Sequence, residues 1–295
     1  MPGETDVRFD LIVATVARTE DLEALLGSLA GQTHSDFRVV VVDQNSDDRV
    51  ERLLALHPGL DALHLRSARG LSRARNRALV ALRTELEAFR ADVVGFPDDD
   101  CLYAPDLLER VAHRFAADST LDGLSGRPRA ADGRVVGRWP SSRVAVIPEN
   151  VWRTANSHTI FLRRPLVERV GAFDEALGLG SGTPWSSGEE IDYVVRALGL
   201  GARIEYDPTL EIIHPIKPVG PAELVALGAR DGGSVGYVLA RNDYPGRTVA
   251  KMLVRPFGAA LISLLALDPV RARFYAATLV GRFRGLAAGR RTARR

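Results

Sequence analysis

The sequence predicts an α/β fold in which a mostly parallel central sheet is flanked by helices and followed by a C-terminal helical segment. Apolar runs of strand length, FDLIVAT at 9–15 and FRVVVVD at 37–43, alternate with stretches of helical spacing. Continuous Val-rich runs of this kind are typical of parallel strands that are buried on both faces. With 295 residues, 46% of them hydrophobic, the chain can form one substantial core and a smaller appendage.

The first half of the chain is predicted to contain four strands that alternate with three helices. Leucines recur at every third or fourth position in 21–30, which indicates a helix after the first strand. Ligands of such sheets bind beyond the carboxyl ends of the strands, so the residues after each strand are the candidates for function. Strands are predicted at 9–15, 37–43, 63–65 and 92–96, and helices at 21–30, near 50–56 and from residue 72.

The second half is less regular and ends in helices. Residues 118–155 are predicted to form short strands and polar loops that lie over a site. Three prolines, at 215, 218 and 221, then break the chain, and they predict a catalytic domain at 1–218 and a basic amphipathic helical segment at 219–295. The elements predicted here are short helices at 165–171 and 187–200, a strand at 202–208, and helices at 222–240, 247–267 and 270–288.

Composition excludes several classes of protein. A net charge of +2 does not indicate nucleic-acid binding. The basic residues are concentrated in the C-terminal stretch, which has eight Arg and no Asp or Glu from Pro269 onward. The single cysteine, Cys101, excludes an internal disulfide, and no signal-like segment opens the chain, so we expect a cytoplasmic protein. The longest apolar run, 257–267, is shorter than the ~20 residues that span a bilayer, and no spanning segment is predicted.

The strongest local signal is FPDDDC, in which Asp98, Asp99 and Asp100 follow an apolar strand. Adjacent carboxylates repel one another, and a hard cation such as Mg²⁺ or Mn²⁺ would stabilise them. A solvated acidic turn or a helix N-cap is the alternative. His214 follows a late strand and could add an imidazole ligand, which would favour Mn²⁺, whereas His158 is assigned a structural role.

Two further strand ends suggest nucleotide binding. Asp43 ends the second strand, where an acidic side chain can accept a hydrogen bond from a ribose hydroxyl, although it could be an ordinary turn residue. The first strand ends without the glycines of a dinucleotide fold, which argues against NAD or FAD. Arginines 69, 73 and 75 flank a helix start and could attract phosphate, or they could simply be solvated.

The predicted helix at 187–200 carries three acids in its first turn. Glu189, Glu190 or Asp192 could act as a general base toward an acceptor hydroxyl. Each also has a structural explanation, because Ser187 and Glu190 have capping-box spacing and Asp192 could pair with Arg196. Three tryptophans in loop-like sequence could stack on sugar rings or pack internally, at 139, 152 and 185.

Taken in order, these motifs resemble the family 2 glycosyltransferases, which have the GT-A fold, and the resemblance runs from about residue 9 to about 215. ATVAR at 14–18 is similar to the family's first nucleotide-contacting turn, DQNS at 43–46 to its base-binding turn, GLSRARN at 70–76 to its helix start, and DDD at 98–100 to its D-x-D metal motif. The resemblance implies nucleotide-sugar binding by Thr15, Val16, Arg18, Asp43, Arg73, Asp98 and Asp99. It also implies that Asp100 ligates the metal and that Asp98 lies near the ribose or the metal, where His214 would add its imidazole.

Two later motifs complete the resemblance. GAFDE at 171–175 and GEEID at 188–192 are similar to the family's G-x-F-D-E and E-D-x-D elements, which place an acceptor loop beside the base. This implies Glu190 as the base with Glu189 as a second candidate, and acceptor binding by Trp185 and Asp192. Ala17 replaces a frequent Asn, and Gln44 replaces a frequent Asp, so the nucleobase stays open.

The implied activity is inverting transfer from a UDP-, GDP- or dTDP-sugar to a saccharide or lipid-linked acceptor hydroxyl, with Mg²⁺ or Mn²⁺, in cell-surface polysaccharide or glycolipid synthesis. A sugar nucleotidyltransferase would need a glycine-rich first loop, which is absent. A non-catalytic nucleotide-sugar-binding module at the membrane would fit the departures at Ala17 and Gln44.

The basic C-terminal helices predict a peripheral location on the inner face of the cell membrane. Arginines alternate there with apolar clusters, as in helices whose charges contact anionic headgroups. Packing on the catalytic domain and dimerisation is the alternative. The arginines concerned are Arg255, Arg271, Arg273, Arg282 and Arg284.

Overall fold

The computed structural model describes residues 6–84, 91–135, 137–216 and 218–293. They form two compact units. Unit 1 comprises the described residues of Met1–Arg69, Arg73–Phe173 and Tyr193–Ile216. Unit 2 comprises the described residues of Gly70–Ser72, Asp174–Asp192 and Lys217–Arg295.

The first half of the sheet in unit 1 is parallel. Strands β1 (Phe9–Thr15), β2 (Phe37–Asp43), β3 (Ala62–Arg66) and β4 (Val93–Gly95) lie in the order β3-β2-β1-β4. Every residue of β2 is buried, as expected for a Val-rich run covered on both faces. The register pairs the last residue of β1 with the last residue of β2, so both strands end at the same edge of the sheet.

The second half of the sheet is mixed. Strands β5 (Leu102–Tyr103), β6 (Gly123–Arg129), β7 (Val144–Ala145), β8 (Ile160–Arg163) and β9 (Ile204–Ile213) continue the order as β4-β8-β6-β9-β5, with β7 paired to β9. Strand β8 is antiparallel to both β4 and β6, and β6 is parallel to β9. The predicted α/β class is confirmed, with the parallel pairing concentrated in the first half.

Strand β6 lies in the stretch predicted as short strands and surface loops, where the sequence did not locate any strand. Its residues GLSGRPR lack an apolar run, so periodicity did not reveal it. Gly126 explains how it pairs, because an ideal Cβ at that position would lie 2.0 Å from the carbonyl oxygen of Leu210 on β9. The close approach of the two backbones therefore requires glycine.

Helices flank this sheet and close its core. Helix α1 (Thr19–Ala30) buries the four leucines predicted for its inner face, and α4 (Leu107–Ala117) buries a second apolar stripe in the same core. The other helices are α2 (Arg49–Leu54), α3 (Leu71–Thr84), α5 (Arg164–Val170) and α6 (Glu189–Gly199); the first residues of α3 and α6 belong to unit 2.

Unit 2 contains three long helices, α7 (Pro221–Arg241), α8 (Gly246–Leu265) and α9 (Pro269–Ala293). Helices α7 and α9 approach backbone to backbone, because glycines recur at every fourth position on the facing surfaces. An ideal Cβ at Gly236 would lie 2.1 Å from the carbonyl oxygen of Arg282, and one at Gly285 would lie 2.0 Å from that of Gly233.

Helix α8 contains Pro256, which has no backbone N–H. The carbonyl of Met252, four residues earlier, therefore loses its usual helical donor. The Arg282 guanidinium of α9 donates a hydrogen bond to this carbonyl through Nη1. The contact satisfies an acceptor that the proline would otherwise leave unpaired, and it joins α8 to α9.

In the described part of the chain, α8 is one helix that is long and apolar enough to cross a membrane, judged by length and composition alone. The sequence predicted no such segment because the unbroken apolar run is short. The helix is longer than that run because Arg247, Lys251 and Arg255 interrupt the apolar stretch without ending the helix.

Candidate active site

Three carboxylates lie at the edge where β1 ends. Asp98 forms a parallel bridge with Ala14, which brings the acidic triplet to the turn after β1. There the Thr15 hydroxyl donates to Asp99 Oδ2 at 2.9 Å, and Arg18 Nη1 donates to Asp99 Oδ1 and to Asp100 Oδ2, each at 2.9 Å. Burial and the neighbouring Asp100 raise the pKa of Asp99, although Thr15 and Arg18 oppose that change. One guanidinium thus holds two adjacent carboxylates together.

Asp98 has a different set of partners. It accepts hydrogen bonds from Ser157 Oγ and His158 Nδ1, each at 3.1 Å, and from Arg75 Nη2 at 3.3 Å. Burial acts to raise the pKa of Asp98, but the hydrogen bond from His158 and the nearby charges outweigh it and hold the pKa below its usual value. Asp98 is therefore an ionised carboxylate in a partly enclosed setting.

Two histidines lie against this carboxylate. The rings of His158 and His214 are stacked, with centroids 4.7 Å apart and an interplanar angle of 17°. His214 Nε2 lies 3.2 Å from Asp100 Oδ1. Burial acts to lower the pKa of His214, but the hydrogen bond and charge of Asp100 outweigh it and raise that pKa above its usual value. One potential ligand atom from each of Asp98, His158 and His214 lies within 4.8 Å of the others.

The structure thus brings Asp98 and His214, two of the predicted metal ligands, into one cluster. The third predicted ligand, Asp100, contacts His214 but lies outside the group of three. His158 is the residue that sequence reasoning missed. It lies in a single turn of 3-10 helix at Ser157–Thr159, where no periodicity or strand end marks it.

The arginines after β3 have separate roles. Arg75 is buried, lies over the rings of Phe96 and Phe173 at 5.9 and 5.4 Å, and donates to Asp98. The sequence grouped it with Arg73, whose Nη1 donates to a carbonyl in the preceding turn. The nucleotide-binding role of Arg73 remains a prediction, and Arg75 is the arginine that orients the carboxylate cluster.

Asp43, the predicted nucleoside contact, is fully buried at the end of β2. Its Oδ1 accepts hydrogen bonds from the backbone and side-chain nitrogens of Asn45 at 2.8 and 2.7 Å, and its Oδ2 lies 3.1 Å from His64 Nε2. Asn45 Oδ1 in turn accepts from the Ala17 backbone N–H at 2.8 Å. The turns that follow β1 and β2 are therefore linked through Asn45.

Ala17 itself adopts a φ of 58°, in the left-handed region. This region is unfavourable for a residue with a β-carbon, so the turn after β1 holds Ala17 in a strained backbone conformation. Val16, the preceding predicted contact residue, is half-buried in the same turn. Its role remains a prediction.

In unit 2, the predicted base residues lie in the first turn of α6. Glu189 is buried next to Gly178, where an ideal Cβ would lie 3.2 Å from Glu189 Oε2 and 3.1 Å from Ser72 Oγ. Glu190 is half-buried one position later. The N-terminus of a helix favours negative charge, so the setting suits an ionised carboxylate.

The predicted acceptor residues have partners within unit 2. Asp192 is buried, and its Oδ1 accepts a hydrogen bond from Asn242 Nδ2 at 2.9 Å. Trp185 is half-buried and stacks on Tyr237, with ring centroids 5.4 Å apart and an interplanar angle of 16°. Acceptor binding by either residue remains a prediction.

A protein-family model described as Glycosyl transferase family 2 matches residues 10–173, more than half of the chain. Among curated proteins, a pre-mycofactocin glycosyltransferase of Mycobacterium tuberculosis is 27% identical over 257 residues, which cover 82% of this chain and 49% of the relative. The glycosyltransferase AglE of Haloferax volcanii is 24% identical over 224 residues, covering 71% of this chain and 67% of the relative. The chain spans about half the length of the mycobacterial relative it matches.

Solved structures share the fold. The mannosyltransferase PcManGT from Pyrobaculum calidifontis, in complex with GDP-Man and Mn²⁺, has a TM-score of 0.59 at 18% identity and covers 97% of this chain and 91% of its own. S. aureus TarS 1–349 in complex with UDP-GlcNAc has a TM-score of 0.58 at 17% identity and covers 90% of each chain. The predicted GT-A fold is confirmed.

Proposed function

Because the chain belongs to glycosyl transferase family 2, we propose that it is an inverting, metal-dependent glycosyltransferase. It transfers a sugar from a UDP-, GDP- or dTDP-sugar to an acceptor hydroxyl. The observation that carries the proposal is the cluster of Asp98, His158 and His214 at the sheet edge where β1 ends. In open α/β sheets, this edge is where ligands bind.

The cluster fits a divalent cation. It offers an ionised carboxylate and imidazole nitrogens close together, and His158 Nε2 is buried without a hydrogen-bond partner among the described residues. Asp98 and His214, with Asp100 as predicted, would hold the ion, which we propose to be Mg²⁺ or Mn²⁺. Such an ion, when bound, neutralises charge on a leaving nucleoside diphosphate. The Mn²⁺ complex of the Pyrobaculum neighbour supports this assignment.

The turns around the cluster would hold the donor. The Arg18 guanidinium is partly exposed and already pairs with oxygen anions, so it can donate to diphosphate oxygens. Thr15, Val16 and the buried Asp43 turn would position the nucleoside, and Arg73 would add a second cation. Asp98 and Asp99 would lie near the donor sugar or ribose, as the family resemblance implies.

Glu190 is the proposed base. Its carboxylate would accept the proton of the acceptor hydroxyl while that oxygen attacks the anomeric carbon, and a single displacement inverts the configuration there. The carboxylate lies in the first turn of α6, at the end of the helix that favours negative charge. Glu189 is the second candidate, and Trp185 and Asp192 would contact the acceptor.

We further propose that the protein acts as a peripheral membrane enzyme on the cytoplasmic face, with a saccharide or lipid-linked acceptor of cell-surface synthesis. Helix α8 supports this location, because it combines cations in its first half with exposed apolar side chains in its second half. Such helices bind anionic lipid surfaces because their apolar side chains insert into the membrane interface and their cations are attracted to the headgroups.

A thermal-shift screen tests the donor site. The full chain is heated with UDP-, GDP- and dTDP-sugars, each with Mn²⁺, Mg²⁺ or a chelator. We expect a metal-dependent rise in Tm with one nucleotide class, lost in Asp98→Asn and retained in the control Asp132→Asn on an exposed turn. No rise with any donor would contradict the proposal.

Product assays with the matched donor test the base. Replacing a general base should lower kcat by about 10²–10⁴-fold, so Glu190→Gln should do so while leaving donor binding intact. The exposed Glu223→Gln of α7 is the control. A loss in Glu189→Gln instead would move the base to Glu189, and donor binding without turnover in the wild type would favour a binding module.

A further inference from the structure

His158 is almost fully buried, at 2% exposure, although it has a polar ring. Its Nδ1 lies 3.1 Å from Asp98 Oδ2. A carboxylate oxygen accepts hydrogen bonds, so in the neutral ring the proton lies on Nδ1 and is donated to Asp98. The other ring nitrogen, Nε2, then carries a lone pair.

Nε2 of His158 has no hydrogen-bond partner in the part of the chain that the structure describes. A buried acceptor without a donor is destabilising, so native proteins rarely keep one without a ligand or a function. A carboxylate that fixes one ring nitrogen while the other remains available is the arrangement that metal-binding histidines use. The neighbouring His214 ring, stacked 4.7 Å away, supplies a second imidazole.

We propose that His158 is a direct metal ligand beside Asp98 and His214, so that two imidazoles bind the ion together with the carboxylate ligands of the proposed site. Two nitrogen ligands disfavour Mg²⁺, which prefers oxygen, and favour first-row transition-metal dications. The centre therefore takes Mn²⁺ or Co²⁺ in preference to Mg²⁺. The inference rests on the proposed function only for the role of the ion in catalysis, and the ligand set itself does not depend on it.

A positioning role for His158 makes a different prediction. If the ring only orients Asp98, its loss would weaken metal binding without changing the number of nitrogens bound to the ion. Glutamine separates the two roles, because its amide can still donate to Asp98 while it offers no imidazole nitrogen.

The test is pulsed EPR of Mn²⁺ added to the full chain without donor, in which directly bound ¹⁴N nuclei modulate the echo. We expect two bound imidazole nitrogens in the wild type and one in both His158→Gln and His214→Gln. His113→Gln on α4, whose ring faces Glu109, is the control and should retain two.

Titrations of the same proteins measure selectivity. Wild type should bind Mn²⁺ at least tenfold more tightly than Mg²⁺ and Co²⁺ more tightly still, following the order of affinities for nitrogen ligands. His158→Gln should lose about 10–100-fold in Mn²⁺ affinity and much less in Mg²⁺ affinity.

One bound nitrogen in the wild type, or two in His158→Gln, would overturn the inference, and the wild-type spectrum decides it even if the variant does not fold. The proposed function has a separate readout. Two nitrogens in a protein that turns over no donor would refute the transferase and leave the metal centre standing.

Discussion

Asp10 and Asp98 are carboxylates of the same sheet in opposite electrostatic settings. Asp98 is surrounded by donors and its pKa is lowered. Asp10, on β1, lies opposite Arg38 on β2, and two guanidinium nitrogens donate to its Oδ1 at 3.0 and 2.7 Å. Its Oδ2 is buried without a hydrogen-bond partner among the described residues. Burial outweighs Arg38 and raises the pKa of Asp10 to about 6.

This shift predicts how stability depends on pH. The folded state holds the Asp10 proton more tightly than the unfolded state, so the free energy of unfolding falls as pH rises from about 4 to about 6. The shift corresponds to on the order of 3 kcal/mol. Urea unfolding of wild type and Asp10→Asn across this range should show a flatter profile in the variant, with the exposed Asp47→Asn as control. Equal slopes in wild type and Asp10→Asn would contradict the prediction.

The sequence predicted those residues of the candidate site that directly follow a strand. Asp98, Asp100 and His214 each come after an apolar run, and parallel or adjacent strands bring such ends together. The sequence assigned His158 a structural role and grouped Arg75 with the other arginines at a helix start, because one lies in a short turn and the other has no distinguishing neighbour in sequence. Only tertiary packing buries both against the same carboxylate.

At the scale of elements, the hydrophobic pattern located the long strands and helices. It failed for β6, where close backbone contact at Gly126 replaces side-chain packing. The hydrophobic pattern also did not predict how α7 and α9 pack against each other. Their contact depends on glycines at every fourth position, which a count of apolar residues treats as weak helix formers.

Adding one methyl group to this helix contact should therefore destabilise unit 2. Gly285→Ala would bring Cβ to 2.0 Å from the Gly233 carbonyl oxygen, and overpacking of this kind costs about 1–3 kcal/mol or more. Gly27→Ala on α1 is a matched control, because nothing lies within 4 Å of its Cβ position. That control should gain about 0.5–1 kcal/mol from helix propensity. Thermal unfolding should show a lower Tm for Gly285→Ala and a higher Tm for Gly27→Ala. A change of Tm in the same direction for both variants would contradict the close contact of α7 and α9.

The contact between Arg282 and the Met252 carbonyl predicts coupling between two substitutions. Arg282→Met removes the donor and leaves the carbonyl unpaired, which should cost about 1–3 kcal/mol. Pro256→Ala restores a backbone N–H that can reach the same carbonyl. A double-mutant cycle measured by chemical unfolding should therefore show that Arg282→Met costs less in the Pro256→Ala background. Strictly additive effects would mean that Arg282 does not replace the missing helical donor.

At the scale of the whole molecule, the two units differ in how much of their apolar surface is exposed. Unit 1 carries the buried sheet and the carboxylate cluster, and most of its apolar side chains lie in the core. Unit 2 leaves the second half of α8 exposed, with Leu265 at 85% and Leu267, just after the helix, at 88%. Exposed apolar side chains with cations on the same helix are typical of a lipid contact.

The full chain should accordingly bind vesicles that contain anionic lipid, and salt should weaken the binding because the headgroup attraction is screened. Leu264→Glu with Leu265→Glu should lower binding in a sedimentation assay at least tenfold, since each inserted leucine contributes about 1.5–3 kcal/mol. Leu56→Glu is the matched control, because Leu56 is 69% exposed on unit 1 and should not contact lipid. If the double variant binds vesicles normally but converts a dimer to a monomer in light scattering, the exposed face of α8 is a dimer interface and the membrane proposal is wrong.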